Sequence, residues 1–450
     1  MVAVIGRRRV GKTFLVRQTY AKQIAFDLTG LQTGSMNTQL QAFQLSFART
    51  FPKWEGELAP KNWLEAFDRL ARAVEKLESL EKPVVFLDEL PWLATARSGF
   101  IEALGWFWNS WAVQRRVVVV ICGSAASWMI NKVINDRGGL HNRVTKMIHL
   151  EPFTLRETEL FCQARNLRFP QYQLLQLYMI MGGIPMYLDQ LRPGLSVTEN
   201  VQNICFARDG FLRREFDRLF ASLFSNYERH VAIVRTLAKK RIGLTRMALV
   251  EALNTNGGSL TRTLNELMES GFLTVYQGYK KKRRDELYRL TDNYSLFYLT
   301  YLEKQGKSNA VEFTHLSGLP SWRAWSGYAF ENICLTHVKA IKVALGISGL
   351  STKTSSLYVR GGAETAGAQI DLLIERNDAT VHLCEAKFTQ APLKLNSKLA
   401  KEMETKAAVF THVSKANDHV LRTLLTIFPP EGDPGRYGID RVVTMEDLFR

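Results

Sequence analysis

Residues 6–13 read Gly-Arg-Arg-Arg-Val-Gly-Lys-Thr, directly after the apolar run Met1–Ile5 and directly before the helical pattern Phe14–Lys22. A strand that turns through glycines into a helix points several backbone N–H groups at one spot. The helix N-terminus adds its positive dipole end there, which makes the turn a phosphate cradle. The run matches G-x-x-x-x-G-K-[ST] in full and in the strand–turn–helix context that the pattern requires. Gly6, Arg7, Arg8, Arg9, Val10, Gly11, Lys12 and Thr13 are therefore the expected nucleotide-binding residues. Lys12 should reach the β and γ phosphates and Thr13 should ligate Mg²⁺. The alternative is a basic turn that matches by chance.

The following stretch alternates helical and strand-like runs. Trp63–Leu80 carries apolar residues at helical spacing, and Pro83 ends it. Val84–Leu87 reads as a buried strand with Asp88 and Glu89 at its carboxyl end. An Asp in that place can hold the magnesium shell, and a neighbouring Glu can polarise an attacking water. A solvated acidic turn is the competing reading. Phe100–Trp111 reads as a helix and Arg116–Cys122 as a third strand, closed by Gly123 and Ser124. Ser124 could sense the γ-phosphate or cap a helix, and the two roles are compatible. Such alternation predicts an α/β fold around a parallel sheet, the P-loop core, over residues 1–153.

From Thr154 the pattern turns helical, and residues 154–225 are expected to form a helical lid. Residues 226–305 show helices over Glu228–Lys239, Thr245–Ala252 and Ser259–Ser270, then a hairpin from Phe272–Tyr276 to Leu287–Leu290. That order is the layout of a winged helix-turn-helix. Residues 306–321, rich in Ser, Gly and Pro, read as a linker. Residues 322–450 open on a helix over Trp325–Leu345, continue through strand-like segments at Leu357–Arg360, Ile370–Glu375 and Thr380–Ala386, and end in two helical stretches.

Lys and Arg number 59 against 43 Asp and Glu, a net charge of +16 over 450 residues, which makes nucleic acid the leading macromolecular partner. Arg262 on the expected recognition helix and Lys280, Lys281, Lys282, Arg283 and Arg284 at the hairpin tip are the candidate DNA-contacting residues. Such a tip suits phosphate contacts, although a charged hairpin can equally be soluble surface on a protein-binding module. The five cysteines are dispersed, without a CxxC pair, which argues against a disulfide scaffold or zinc ribbon. Arg7–Arg9 interrupt any N-terminal leader pattern, and the longest apolar run, Val117–Ile130, is too short to span a bilayer. The expectation is a cytoplasmic protein without a membrane partner, and possible self-association into a homo-oligomer.

Several of these segments together resemble a prokaryotic AAA-type ATPase family. They are the phosphate loop, Phe86-Leu-Asp88-Glu89-Leu-Pro-Trp92, Cys122-Gly-Ser124-Ala-Ala-Ser-Trp-Met129, Pro152-Phe153 and Gly182-Gly-Ile-Pro185. Members of that family join the ATPase to a winged helix and a C-terminal nuclease-like domain. The resemblance implies that Gly182–Pro185 belongs to the lid, with Pro185 near the nucleotide base. It also implies that Arg143 or Arg137 could touch a γ-phosphate bound by a neighbouring copy; a solvated surface arginine is the alternative for each. The family carries a leading segment that helps seat the adenine. With the first strand at the start of this sequence, either the start is truncated or that contact comes from elsewhere.

In the C-terminal part, Asp371 precedes Glu385 by 13 intervening residues, and Lys387 follows Glu385 by two. Residues two apart on a strand share a face, so Glu385 and Lys387 point the same way. If Asp371 lies opposite, two carboxylates and an ammonium converge, a hard-oxygen set suited to Mg²⁺ or Mn²⁺. The arrangement resembles the core of the PD-(D/E)XK nucleases, a restriction-endonuclease-like α/β domain. That resemblance makes Glu331, on the preceding helix, an additional metal-binding acid. The sequence thus supports an ATP-binding and hydrolysing, DNA-associated protein. Its catalytic residues would be Glu89 for ATP and Asp371, Glu385 and Lys387 for a nuclease-like site. Thr13 and Asp88 would hold metal at the first site, and Glu331, Asp371 and Glu385 at the second. The rival is a nucleotide-controlled regulatory switch whose winged helix binds protein and whose nuclease-like domain is inert.

Overall fold

The computed structural model describes residues 1–450 apart from 78–79, 136–139, 141, 225, 241, 282–284, 305–311, 362–366 and 416–417. The described chain forms two compact units. The first comprises Met1–Glu151 with Asn265–Gly271, and the second Pro152–Leu264 with Phe272–Arg450.

The first unit is built on five parallel strands: β1 (Val2–Ile5), β2 (Ile24–Thr29), β3 (Val84–Asp88), β4 (Val118–Gly123) and β5 (Lys146–His149). Their order in the sheet is β2-β3-β4-β1-β5. Every central strand is covered on both faces, which is why β3 and β4 read as unbroken apolar runs. Val85 and Leu87 of β3 face one core with Val119 and Ile121 of β4. Val84 and Phe86 face the other with Val120 and Cys122. The larger core is aromatic: Phe26, Phe43, Phe47, Trp63, Phe67, Phe100 and Phe107 interlock at ring distances such as 4.7 Å for Trp63–Phe100. Helix Trp63–Glu75 starts on Asn62, whose side chain accepts from Glu65 N at 2.9 Å, and buries Trp63, Ala66, Phe67, Leu70, Ala71 and Val74 as one stripe.

In the second unit, helix Leu155–Ala164 begins with a reciprocal cap between Thr154 and Glu157. Helix Gln171–Met181 ends at Gly182, whose φ of 64° is the left-handed conformation that glycine adopts without strain. Gly183 then lies against Phe153: Phe153 N donates to Gly183 O at 2.7 Å, and a Cβ on Gly183 would sit 1.8 Å from Phe153 O. The Pro152-Phe153 and Gly182–Pro185 segments are therefore two sides of one close backbone contact. His337 ties the C-terminal part to the same region. Its Nε2 accepts from Leu155 N at 3.1 Å while its Nδ1 lies 2.9 Å from Ile333 O, and burial pushes its pKa down to about 4.

Helices Tyr227–Ala238 and Arg246–Leu253 precede helix Gly257–Glu269 and a small antiparallel sheet, β6 (Leu244–Thr245), β7 (Leu273–Tyr276) and β8 (Leu287–Leu290), in the order β6-β8-β7. The C-terminal sheet holds β9 (Thr352–Val359), β10 (Ala368–Arg376), β11 (Thr380–Lys387), β12 (His419–Thr426) and β13 (Arg441–Thr444), in the order β13-β12-β11-β10-β9. β9, β10 and β11 pair antiparallel, and β11, β12 and β13 pair parallel.

Three expectations change. The 306–321 stretch is not a plain linker where it is described. Phe313–Gly318 is helical, and the long helix already starts at Pro320. Phe313 is buried against Trp322 and Phe206, so this part contributes to a core. The helix expected over Trp325–Leu345 is two helices, Pro320–Thr336 and Val338–Ala344, broken at His337. The two closing helical stretches are one helix, Ser397–Ser414, followed by β12, β13 and the single turn Met445–Leu448.

Candidate functional site

The turn between β1 and helix Lys12–Thr19 owes its shape to backbone conformations that few residues tolerate. Gly6 has φ 147° and Gly11 φ 90°, and a Cβ on Gly6 would meet Leu150 O at 2.2 Å. Arg9 also has positive φ, 76°. Such conformations cost free energy in a non-glycine residue and concentrate at ligand-holding turns. Lys12 is buried, and its Nζ donates to Gly6 O at 3.0 Å and Arg7 O at 2.9 Å. Burial pushes its pKa down, with Cys122, Glu89 and Asp88 opposing that shift.

Sheet order brings the remaining residues to this turn. β4 lies between β1 and β3, so the carboxyl ends of all three strands stand side by side. Thr13 Oγ1 donates to Asp88 Oδ2 at 2.7 Å, and Asp88 Oδ1 accepts from Glu89 N at 2.9 Å. Glu89 has φ 48°, a left-handed residue without a glycine's freedom. Its Oε2 accepts from Ser124 Oγ at 2.8 Å and from Ser124 N at 3.2 Å. Thr13, Asp88, Glu89 and Ser124 thus form a continuous chain of hydrogen bonds. The adjacent hydroxyl and carboxylate of Thr13 and Asp88 are hard oxygen donors of the kind Mg²⁺ takes. Arg7 and Val10 are buried in the loop, and the Arg8 guanidinium lies 5.6 Å from the Trp92 ring centroid. Arg143 is exposed, and Arg137 lies outside the described residues. Pro185, the first residue of the short helix Pro185–Leu188, belongs to the second unit.

The C-terminal acids lie on the elements expected of them. Leu372 pairs with Cys384, so the same register sets Asp371 opposite Glu385. Glu331 lies on helix Pro320–Thr336, which packs on β11 and β10. Each acid is bound to a cation. Glu385 meets Lys387 Nζ at 2.8 Å and Lys406 Nζ at 2.5 Å, and Glu402 joins the same two ammoniums at 3.2 and 3.1 Å. Glu331 lies 3.4 Å and Asp371 3.7 Å from the guanidinium of Arg289, on β8. Burial pushes the Glu331 carboxyl up to about 7; the charges of Asp371 and Glu385 add to the shift and Arg289 offsets part of it. Burial pulls the Lys387 pKa down, but Glu385 and Glu402 outweigh it, and the net shift is upward. Lys387 therefore stays protonated, which suits it to orient a group and not to act as a base. Among the described residues no group of three or more His, Cys, Asp or Glu side chains is placed to hold a metal ion. As placed, with guanidinium and ammonium groups on every carboxylate, the residues do not fit a divalent ion at this site.

The hairpin tip also departs from expectation. Tyr279 is buried in the C-terminal core with Leu357, Ile370, Leu373, Val381, Leu383 and Phe410, its ring 4.9 Å from that of Phe410. Tyr279 N donates to Ser356 O at 2.7 Å and Ser356 N to Gln277 O at 3.1 Å. β9 is the edge of its sheet, and this pairing satisfies backbone groups that an open edge leaves free. Lys280 Nζ donates to Ser414 O. Lys281 and Arg262 are exposed, and Lys282, Arg283 and Arg284 lie outside the described residues. Sequence reasoning missed Arg289, Glu402 and Lys406. Only the Glu402–Lys406 spacing of four gave a signal, and it pointed to a helix-surface pair.

Residues 1–191 match the family model for an ATPase domain predominantly from Archaea. The N-terminal part of the chain is a P-loop ATPase domain. A curated relative, an uncharacterized protein of Methanocaldococcus jannaschii, is 22% identical over 308 residues. The match covers 67% of this chain, and the chain spans 64% of that relative's length. Among solved structures, a Walker-type ATPase of Pyrococcus abyssi is 18% identical with a TM-score of 0.46, covering 66% of this chain and 90% of that one. The ORC2 protein of Aeropyrum pernix, described as ADPNP–ADP complexes, is 14% identical with a TM-score of 0.40, covering 66% and 86%. Among the described residues no helix is long and apolar enough to cross a membrane.

Proposed function

We propose that this protein binds MgATP at the β1 turn, hydrolyses it with Glu89, and uses the nucleotide cycle to act on or at DNA. The observation that carries the ATPase reading is the hydrogen-bonded series Thr13–Asp88–Glu89–Ser124 at the ends of β1, β3 and β4. Backbone N–H groups of residues 6–13 cradle the phosphates, and Lys12 exchanges the loop carbonyls for phosphate oxygens. Thr13 and Asp88 would hold Mg²⁺, which neutralises phosphate charge. Glu89 orients the attacking water once its carboxylate leaves Ser124. Ser124 thereby links the state of the γ-phosphate to the position of the base.

DNA association rests on the net charge of +16 and on the helix–helix–helix–hairpin order of residues 226–305, which we read as a winged helix. The test separates the hairpin's cations. Replacing Lys281, Lys282, Arg283 and Arg284 by Ala should weaken duplex binding equally for all sequences. It should also flatten the plot of log affinity against log salt by roughly 0.9 for each phosphate that is no longer neutralised. Lys280→Ala alone should leave that slope unchanged, because its ammonium is held by Ser414 O. Duplex binding that is insensitive to salt, or untouched by the fourfold change, would remove DNA from the account.

The carboxylates of β10 and β11, with Glu331, form the nuclease-like site of this reading. The cations on each of them favour the second reading for this domain, a module that does not cleave while these pairs hold.

A further inference from the structure

We infer that Arg289 is the resident cation of the Glu331–Asp371 acid pair, so that access of a metal ion to the nuclease-like site requires the β8 guanidinium to leave. The inference rests on reading that domain as nuclease-like, and adds the residue that decides its state. Arg289 comes from a different segment than the acids it serves. It is the central residue of Tyr288-Arg289-Leu290 on β8, where its backbone pairs with Thr274 of β7. Its side chain is 3% exposed, and it reaches Glu331 at 3.4 Å and Asp371 at 3.7 Å. The guanidinium also lies over the Tyr328 ring at 4.7 Å, a cation–π contact on the helix that carries Glu331.

Two opposed carboxylates need a cation between them. A guanidinium fills that need permanently, because arginine does not lose its proton in a protein. It also excludes a second cation, since a divalent ion among the same oxygens would face a fixed positive charge in a poorly screened setting. The space beside it is small. The cavity lined by Arg289, Asp371, Gln369, Tyr276 and Leu287 has room for about one water and not for a phosphodiester.

The surroundings hold the arginine in place. Tyr279, in the hairpin that β8 completes, is buried in the C-terminal core, and residues 277–279 pair with Ser356 of β9. Withdrawing Arg289 as a backbone movement therefore means opening that pairing and exposing Tyr279. On that route, metal access to the acids and docking of the hairpin are mutually exclusive states of one interface.

The test is Mn²⁺ binding to the nucleotide-free 450-residue chain, followed by electron paramagnetic resonance, with Asp371→Ala as the background for any ion at Thr13 and Asp88. Wild-type chain should show no Asp371-dependent binding. Arg289→Ala should gain one such site, at least tenfold tighter than any in wild type, and Arg289→Ala/Asp371→Ala should lose it. Asp371-dependent binding in wild type with the affinity of Arg289→Ala would overturn the inference. A second variant covers a failure of Arg289→Ala to fold. Glu331→Gln/Asp371→Asn strands a buried guanidinium and should lower the thermal midpoint, and adding Arg289→Met should restore it. An unchanged midpoint in the double amide would also overturn the inference. Cleavage is a separate readout. Asp371-dependent Mn²⁺ binding by Arg289→Ala without cut nucleic acid would sink the nuclease reading and leave the role of Arg289 standing.

Discussion

Glu89→Gln should bind MgATP as wild type does and hydrolyse it about 10²–10⁴-fold more slowly, the range that a positioned general base contributes. The amide preserves the size of the side chain and its hydrogen bond from Ser124, and it leaves Thr13 and Asp88 untouched. What it removes is the negative charge that, in the proposed mechanism, would draw a proton from water. Binding should therefore separate cleanly from turnover, measured by nucleotide titration and phosphate release on the same preparation. A turnover number within a few-fold of wild type would exclude Glu89 as the base.

Gly183→Ala should destabilise the second unit by on the order of 3 kcal/mol or more, among the larger effects of a single substitution. The new methyl would sit 1.8 Å from Phe153 O and 2.8 Å from Phe153 N. Both are backbone atoms, so no rotamer change relieves the clash. The substitution must instead break the 2.7 Å bond from Phe153 N to Gly183 O. Gly327 is the matched control: it lies in helix Pro320–Thr336 with nothing within 4 Å of its would-be Cβ. Gly327→Ala should raise the thermal midpoint, since alanine favours a helix interior by about 1 kcal/mol over glycine. Equal midpoints for Gly183→Ala and wild type would show that the 152–153 and 182–185 segments are not one contact.

The phosphate-loop site was legible because its chemistry is local. Gly6–Thr13 form one turn, and Asp88-Glu89 and Gly123-Ser124 each end a run too apolar to be anything but a buried strand. The strands without a clear sequence signature are those whose burial is partial or interrupted. β2 carries Asp27 and Thr29, and β5 is an exposed edge with Lys146 and His149. β12 resembles a helix for a different reason: Leu421, Leu424 and Leu425 fall at the three-and-four spacing of a helix as well as on a strand. At the C-terminal site the alternation of β11 placed Glu385 and Lys387 on one face, and the hairpin register set Asp371 opposite. No local pattern could show that Arg289 would answer Glu331 across a sequence separation of 42 residues, or that Tyr279 would be core and not solvent-facing. Those are consequences of docking one sheet's hairpin on the edge of another. They turn a reading of free cations and free acids into one of paired charges.

The most direct test of the ATPase assignment is titration of MgATP into the purified 450-residue chain and its Lys12→Ala variant. Lys12 is buried at the turn with its ammonium on the Gly6 and Arg7 carbonyls. Its loss should weaken binding on the order of 10²–10³-fold, the cost of leaving phosphate charge without its buried partner. Binding of MgATP by Lys12→Ala with wild-type affinity would contradict the account at its centre.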